Sequence, residues 1–241
     1  MSMNSDISAF NAMSFDCYGT LIDWETGILA ALRPWLEASR VAISDEEILA
    51  AFSEAEPQAE RAYPEALYPQ ILRAVVNRMA RALGIEANVV VREGLANSVG
   101  NWPAFADSAE ALGRLKRRYK LIILSNVDRA SMARTRQLLG VEFDAVYTAQ
   151  DIGSYKPDPR NFDYLIAHAK SDLGLEPEHI LHVAQSLFHD HGPARAKGLA
   201  TCWIDRRAAT TGSGATKQPT VLITPDFTFK SLAELAEAAG V

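Results

Sequence analysis

Short apolar runs alternating with helical patterns set the strongest limit on what this chain can fold into. Strand-like stretches stand at Asn11–Phe15, Lys120–Leu124, Ala145–Tyr147 and Ile180–Val183, with a fifth at Thr201–Ile204, and most are followed by a helical repeat. Strands that alternate with helices imply an α/β fold whose parallel sheet is covered on both faces. A sheet of that kind gathers the carboxyl ends of its strands along one edge, where such folds place their ligands.

The stretch from Trp24 to about Val99 breaks the pattern. It holds no convincing strand, and its apolar residues recur at helical spacing: Ile28, Leu29, Leu32, Trp35 and Leu36, then Ile48, Leu49 and Phe52, then Ile71, Leu72, Val75, Val76, Met79 and Leu83. Ser44-Asp45-Glu46-Glu47 has the capping-box pattern that starts a helix, and Gly84 sits where one should stop. A helical cap inserted after the first strand is the natural reading, with residues 24–99 forming the cap and residues 1–23 and 100–241 the core. Pro103 marks the return to the core because it disfavours helix in the residue before it. Thr210–Pro219 reads as a loop, followed by a last short strand and a helix over Ser231–Ala239.

At 241 residues the chain has room for one core with an inserted smaller unit, and 48% hydrophobic against 22% charged residues takes it out of the disordered class. A net charge of −6 argues against a phosphate-backbone surface, and the one basic run, Lys116-Arg117-Arg118, reads as a helix end, so no nucleic-acid partner is expected. Cys17 and Cys202 lie far apart without metal-ligand spacing, which suits a reducing cytosol. The opening residues lack a secretory pattern, and no apolar run approaches the ~20 residues that span a bilayer. The expectation is a cytoplasmic protein with no membrane partner and a small-molecule ligand.

Polar residues follow the strands. Asp16 ends the first run in Phe15-Asp16-Cys17-Tyr18-Gly19-Thr20-Leu21; Ser125-Asn126 follows the second; Lys156-Pro157-Asp158 comes after the third; Gln185, Ser186 and Asp190 follow the fourth. Taken singly, Asp-x-x-Gly-Thr is what a capped turn looks like. Taken together at one sheet edge, the same residues supply a nucleophilic carboxylate, Asp16, an ammonium to favour its charged form, Lys156, and donors for an anionic group, Ser125 and Asn126.

In this order the four motifs resemble those of the haloacid dehalogenase superfamily over nearly the whole chain. The resemblance implies a Rossmann-like, doubly wound parallel sheet with an inserted four-helix cap, and it allows a homodimer. Phosphatases of that superfamily carry a second aspartate two residues after the nucleophile to protonate the leaving alkoxide; here Tyr18 stands there. A halide needs no proton to leave, and Asp-x-Tyr-Gly-Thr is similar to the 2-haloacid dehalogenase branch.

That branch implies that Asp16 displaces halide from a small, anionic 2-haloacid to form an ester, which water hydrolyses to the 2-hydroxyacid. Asp16, Lys156 and Asp190 would be catalytic, with Tyr18, Ser125 and Asn126 binding the substrate. No cofactor is required; Mg²⁺ is allowed, with Asp16 and Asp190 as its ligands. Two departures stand out: Gln185 and Leu187 replace the serine and asparagine usual in that branch. Its cap arginine for halide has no match in motif, leaving Arg33, Arg40, Arg61 and Arg73 as candidates.

His189-Asp190-His191 admits a metal site or a tuned carboxylate, His182 reads as structural, and Trp102 and Phe188 as pocket wall or core. A magnesium-dependent phosphatase and a non-catalytic small-anion binding protein remain as alternatives.

Overall fold

The computed structural model describes residues 6–210 and 212–241; the opening residues and Thr211 lie outside it. Six strands form one sheet: β1 (Ala12–Phe15), β2 (Lys120–Ser125), β3 (Ala145–Thr148), β4 (Ile180–Ala184), β5 (Ala200–Ile204) and β6 (Phe227–Phe229). Their spatial order is β3-β2-β1-β4-β5-β6 and every pairing is parallel. This is the Rossmann-like, doubly wound arrangement, in which the chain direction of travel reverses beside the first strand. β1 and β4 are buried along their whole length, as strands covered on both faces must be.

Four helices stand between β1 and the return to the sheet: α1 (Trp24–Ala38), α2 (Asp45–Ala62), α3 (Tyr68–Leu83) and α4 (Val89–Ser98). Ser44 and Glu47 form the expected reciprocal cap at the start of α2, and Gly84 ends α3 in the left-handed region at φ 66°. The remaining helices are α5 (Ser108–Leu115), α6 (Arg129–Leu139), α7 (Ala149–Ile152), α8 (Arg160–Leu173), α9 (Gly192–Ala196) and α10 (Leu232–Ala238).

The core divides at the sheet. On one face Met13, Phe15, Leu121 and Ile123 join a large cluster that runs through α5 and α10 into the helical insertion, including Ile28, Phe52 and Leu72. On the other, Ala12, Ile122 and Leu124 pack with Phe162 and Leu165 of α8. Alternation of side chains along each strand produces the split. Trp102, one of the two aromatics open to either role, belongs to the large cluster, where its indole N–H donates to Ser98 Oγ at 2.8 Å and its ring meets Tyr18 edge-on.

The segment after β5, legible in sequence only as a loop, turns back onto the insertion. Arg207 pairs with Glu25 at the start of α1 and with Glu46 in the first turn of α2. Gly214 N–H donates to Glu46 Oε1 at 3.0 Å and Ala215 N–H to Glu25 Oε1 at 2.9 Å. The core thereby holds both entering helices of the insertion by their first turns. Among the described residues no helix is long and apolar enough to cross a membrane.

Candidate active site

The carboxyl edge of the sheet carries the polar residues that the sequence places after its strands. Asp16 leaves the end of β1 with its backbone N–H held by Val183 O at 3.0 Å, and Gly19, at φ 91°, allows the tight turn that follows. Thr20 reaches back from that turn and donates to Asp16 Oδ2 at 2.7 Å, while Gln185 N–H donates to Thr20 Oγ1 at 2.9 Å. One oxygen of Asp16 is therefore fixed by a relay that begins on the backbone after β4.

Lys156 fixes the other. Its Nζ donates to Asp16 Oδ1 at 2.9 Å, to Asp190 Oδ1 at 2.6 Å and to Leu124 O at 3.0 Å, using all three protons, and the side chain is 2% exposed. Burial alone would lower the lysine, but the two carboxylates outweigh it and hold the ammonium protonated well above the usual range. Burial pushes the Asp16 carboxyl up, opposed by Lys156 and Thr20. Burial also acts to raise Asp190, yet Lys156 and His182 more than offset it and keep Asp190 well below the ordinary carboxylate range.

Asp190 is presented by a π-helical turn, Leu187–His191, a local widening that recurs at functional sites. His182, read as structural from its place inside β4, has a positioning part as well. Its Nε2 lies 3.0 Å from Asp190 Oδ1 and its Nδ1 2.9 Å from Ser14 Oγ. Asp190 Oδ2 is buried without a protein partner, and so are Ser125 Oγ and His189 Nε2. All three residues line one cavity of about 40 Å³ with Asp16. At ~10–15 Å³ per water, that volume takes a few waters or one small organic molecule.

Of the six residues expected at the site, all line this cavity, but two face it differently from expectation. Tyr18 gives its hydroxyl to a 2.7 Å contact with Thr135 Oγ1. Asn126 accepts from Lys156 N–H at 2.7 Å and donates to Lys156 O at 3.0 Å and Glu60 Oε1 at 3.2 Å, so its amide positions the lysine. Both ends of the amide are thereby engaged within the protein.

None of the candidate cap arginines reaches the cavity. Arg33 pairs with Asp45 and Arg73 with Glu93, and Arg61 lines a neighbouring cavity of about 230 Å³ with Phe188. In their place the insertion contributes Trp24, Glu56 and Tyr68. Tyr68 donates its hydroxyl to Glu56 Oε1 at 2.5 Å, and burial raises Glu56 to about 7. Sequence reasoning passed over Glu56, although a signal exists. Phe52, Glu56 and Glu60 continue one four-residue spacing, so two acids occupy the buried stripe of α2.

Of the oxygens expected to hold Mg²⁺, only Asp190 Oδ2 is without a protein partner. Each carboxylate gives one oxygen to Lys156, Asp16 Oδ2 is taken by Thr20, and Gln185 Oε1 accepts from Thr216 at 2.8 Å. Around His189-Asp190-His191, the His191 Nε2 bonds to Ala184 O at 2.9 Å, and among the described residues no group of three or more histidine, cysteine, aspartate or glutamate side chains converges on a metal position.

The family model for haloacid dehalogenase-like hydrolases matches residues 10–186. The (S)-2-haloacid dehalogenase 4A of Burkholderia cepacia is 26% identical over 210 residues, which cover 83% of this chain and 85% of that one. An L-2-haloacid dehalogenase from Xanthobacter autotrophicus with chloropropionic acid covalently bound superposes at a TM-score of 0.75 and 21% identity, covering 95% of this chain and 97% of the other. The putative HAD-hydrolase YfnB from Bacillus subtilis, bound to magnesium, gives the same TM-score at 18% identity over 96% and 99%. At these identities the superpositions establish the fold.

Proposed function

The chain belongs to the haloacid dehalogenase-like hydrolases, and from that premise we propose that it hydrolyses the carbon–halogen bond of small 2-haloacids through an ester on Asp16. The observation that carries this reading is the pairing of a buried, doubly held Asp16 with a cavity that has Tyr18, not an acid, two residues further on. A carboxylate gripped on both sides attacks carbon with little reorganisation, and halide departs without a proton.

In the first step an Asp16 oxygen forms a bond to C2 from behind the carbon–halogen bond, and the halide leaves with the bonding pair. The Ser125 hydroxyl, buried and unpartnered on the cavity wall, receives the substrate carboxylate. In the second step water attacks the Asp16 carbonyl carbon, and the 2-hydroxyacid leaves with a proton. Asp190 Oδ2 orients that water by accepting a hydrogen bond; so strongly lowered a carboxylate is a poor base, so orientation is its main part. His189 is held neutral by burial down to about 4, so its free Nε2 is uncharged at neutral pH.

Residues 24–99 act in this reading as the cap that closes the cavity, with the core formed by 1–23 and 100–241. The buried, unpaired Cys17 and Cys202 agree with a cytoplasmic site of action. No step asks for a metal. The test is halide release from 2-chloropropionate and chloroacetate with chelator present. Asp16→Asn should abolish it, and mass spectrometry of wild type quenched during turnover should find the ester on Asp16. Substantial release by the variant would refute the scheme.

A further inference from the structure

In-line displacement sends the leaving group away from the nucleophile. With Asp16 at the end of β1, the departing atom leaves across a cavity whose lining the helical insertion completes. The insertion's part of that lining carries Trp24, Glu56 and Tyr68 and no cation. We propose that Glu56 is the hydrogen-bond donor to the departing group, and that the site therefore favours leaving groups that are strong hydrogen-bond acceptors with weak conjugate acids, fluoride ahead of bromide. The inference rests on the dehalogenase reading and adds to it a chemical class of substrate.

The geometry supports this in three ways. Glu56 Oε1 is fixed by the Tyr68 hydroxyl at 2.5 Å, which leaves Oε2 to carry the proton. The residue is 5% exposed and lines the same cavity as Asp16, so nothing but substrate or a few waters competes for that proton. The cavity also holds three buried polar atoms without protein partners, Ser125 Oγ, His189 Nε2 and Asp190 Oδ2, so it is built for a polar guest.

The charged and titratable groups around Glu56 agree. Glu60 on its own helix, Tyr68 on α3, Tyr155 and Lys156 ahead of α8, Asp16 after β1, and His189 and Asp190 on the π turn face it or its cavity. Of these only Lys156 is a cation, and its three protons already serve Asp16, Asp190 and Leu124 O. Burial raises Glu56 to about 7, opposed by the Tyr68 hydrogen bond and helped by Asp16, so about half of the molecules hold the proton at neutral pH.

The balance of the step is complete. An Asp16 oxygen supplies the pair for the new carbon–oxygen bond, the carbon–fluorine pair leaves with fluorine, and Glu56 donates a hydrogen bond to the fluoride as it forms while keeping its proton, because hydrogen fluoride is the stronger acid. Hydrolysis of the ester consumes one water and releases one proton, so one fluoride and one proton leave per turnover and Glu56 ends as it began. Bromide, the conjugate base of a strong acid, gains far less from the donor.

The test compares fluoroacetate and bromoacetate as substrates for the full chain, wild type against Glu56→Gln, with near-ultraviolet circular dichroism to establish that the variant folds. The expected result is a rise on the order of 100-fold in the ratio of bromide to fluoride release in the variant, the size of one hydrogen-bond donor's contribution. Fluoride release by wild type should also fall as pH rises through about 7, and the variant should lack that fall. Equal losses for the two substrates, or bromide release without any fluoride release in wild type, would overturn the inference and leave the dehalogenase reading intact. Failure of wild type to release either halide would overturn both.

Discussion

Replacing Glu56 with glutamine should stabilise the protein, and by an amount that depends on pH in a fixed direction. In the unfolded chain the carboxyl ionises near 4.5, whereas in the fold burial holds its proton up to about 7. Below the unfolded value both states are protonated and the residue imposes no penalty. As pH rises the unfolded state ionises first, so stability falls until the folded carboxyl also ionises, and above about 7 the loss is complete. A gap of about 2.5 pH units at ~1.4 kcal/mol per unit gives about 3 kcal/mol. Glutamine keeps the oxygen that accepts from Tyr68 and carries no charge. The variant and wild type should therefore be equally stable near pH 4.5 and diverge to about 3 kcal/mol near pH 8, a rise of roughly 6–12 °C in Tm for a chain of this length. Urea titrations across that range would measure it. A difference that does not change with pH, or one that favours wild type at high pH, would refute the assignment of a buried, proton-holding Glu56.

Three further substitutions probe the framework. Lys156→Met removes the cation between two buried carboxylates and should destabilise the protein by about 3–5 kcal/mol, with loss of turnover, measured by urea denaturation and halide release. Gly27→Ala places a Cβ 2.2 Å from Trp102 Cγ and should cost about 1–3 kcal/mol, whereas Gly94→Ala, in open space on α4, should gain about 0.5–1 kcal/mol; their denaturation midpoints should move in opposite directions.

Much of this arrangement is legible in the residues themselves. Asp16, Ser125, Lys156 and Asp190 stand at the ends of strands or in the connections that follow them, and a parallel sheet leaves such residues no choice but to share an edge. The hidden parts come from elements whose local sequence says nothing about destination. Glu56 and Tyr68 sit within helices whose apolar periodicity gives the buried face but not the object it faces. Nothing in the sequence around Asn126 says that its amide also holds the Lys156 backbone. The loop after β5 has the composition of a connector, and only the folded chain shows Arg207 meeting glutamates 182 and 161 positions away.

The parallel sheet has a consequence for the order in which this molecule comes into being. Lys156 meets Asp16 across 140 positions of chain and Asp190 across 34, and no shorter path exists between the ends of strands that never turn back on themselves. Contacts of such long span are closed late, because the intervening chain must surrender its freedom first. On the ribosome Asp16 emerges early and remains without Lys156 until more than half the polypeptide has been made. Catalytic competence is thus a property of the finished chain alone, and its appearance during refolding should time the last closure of the sheet.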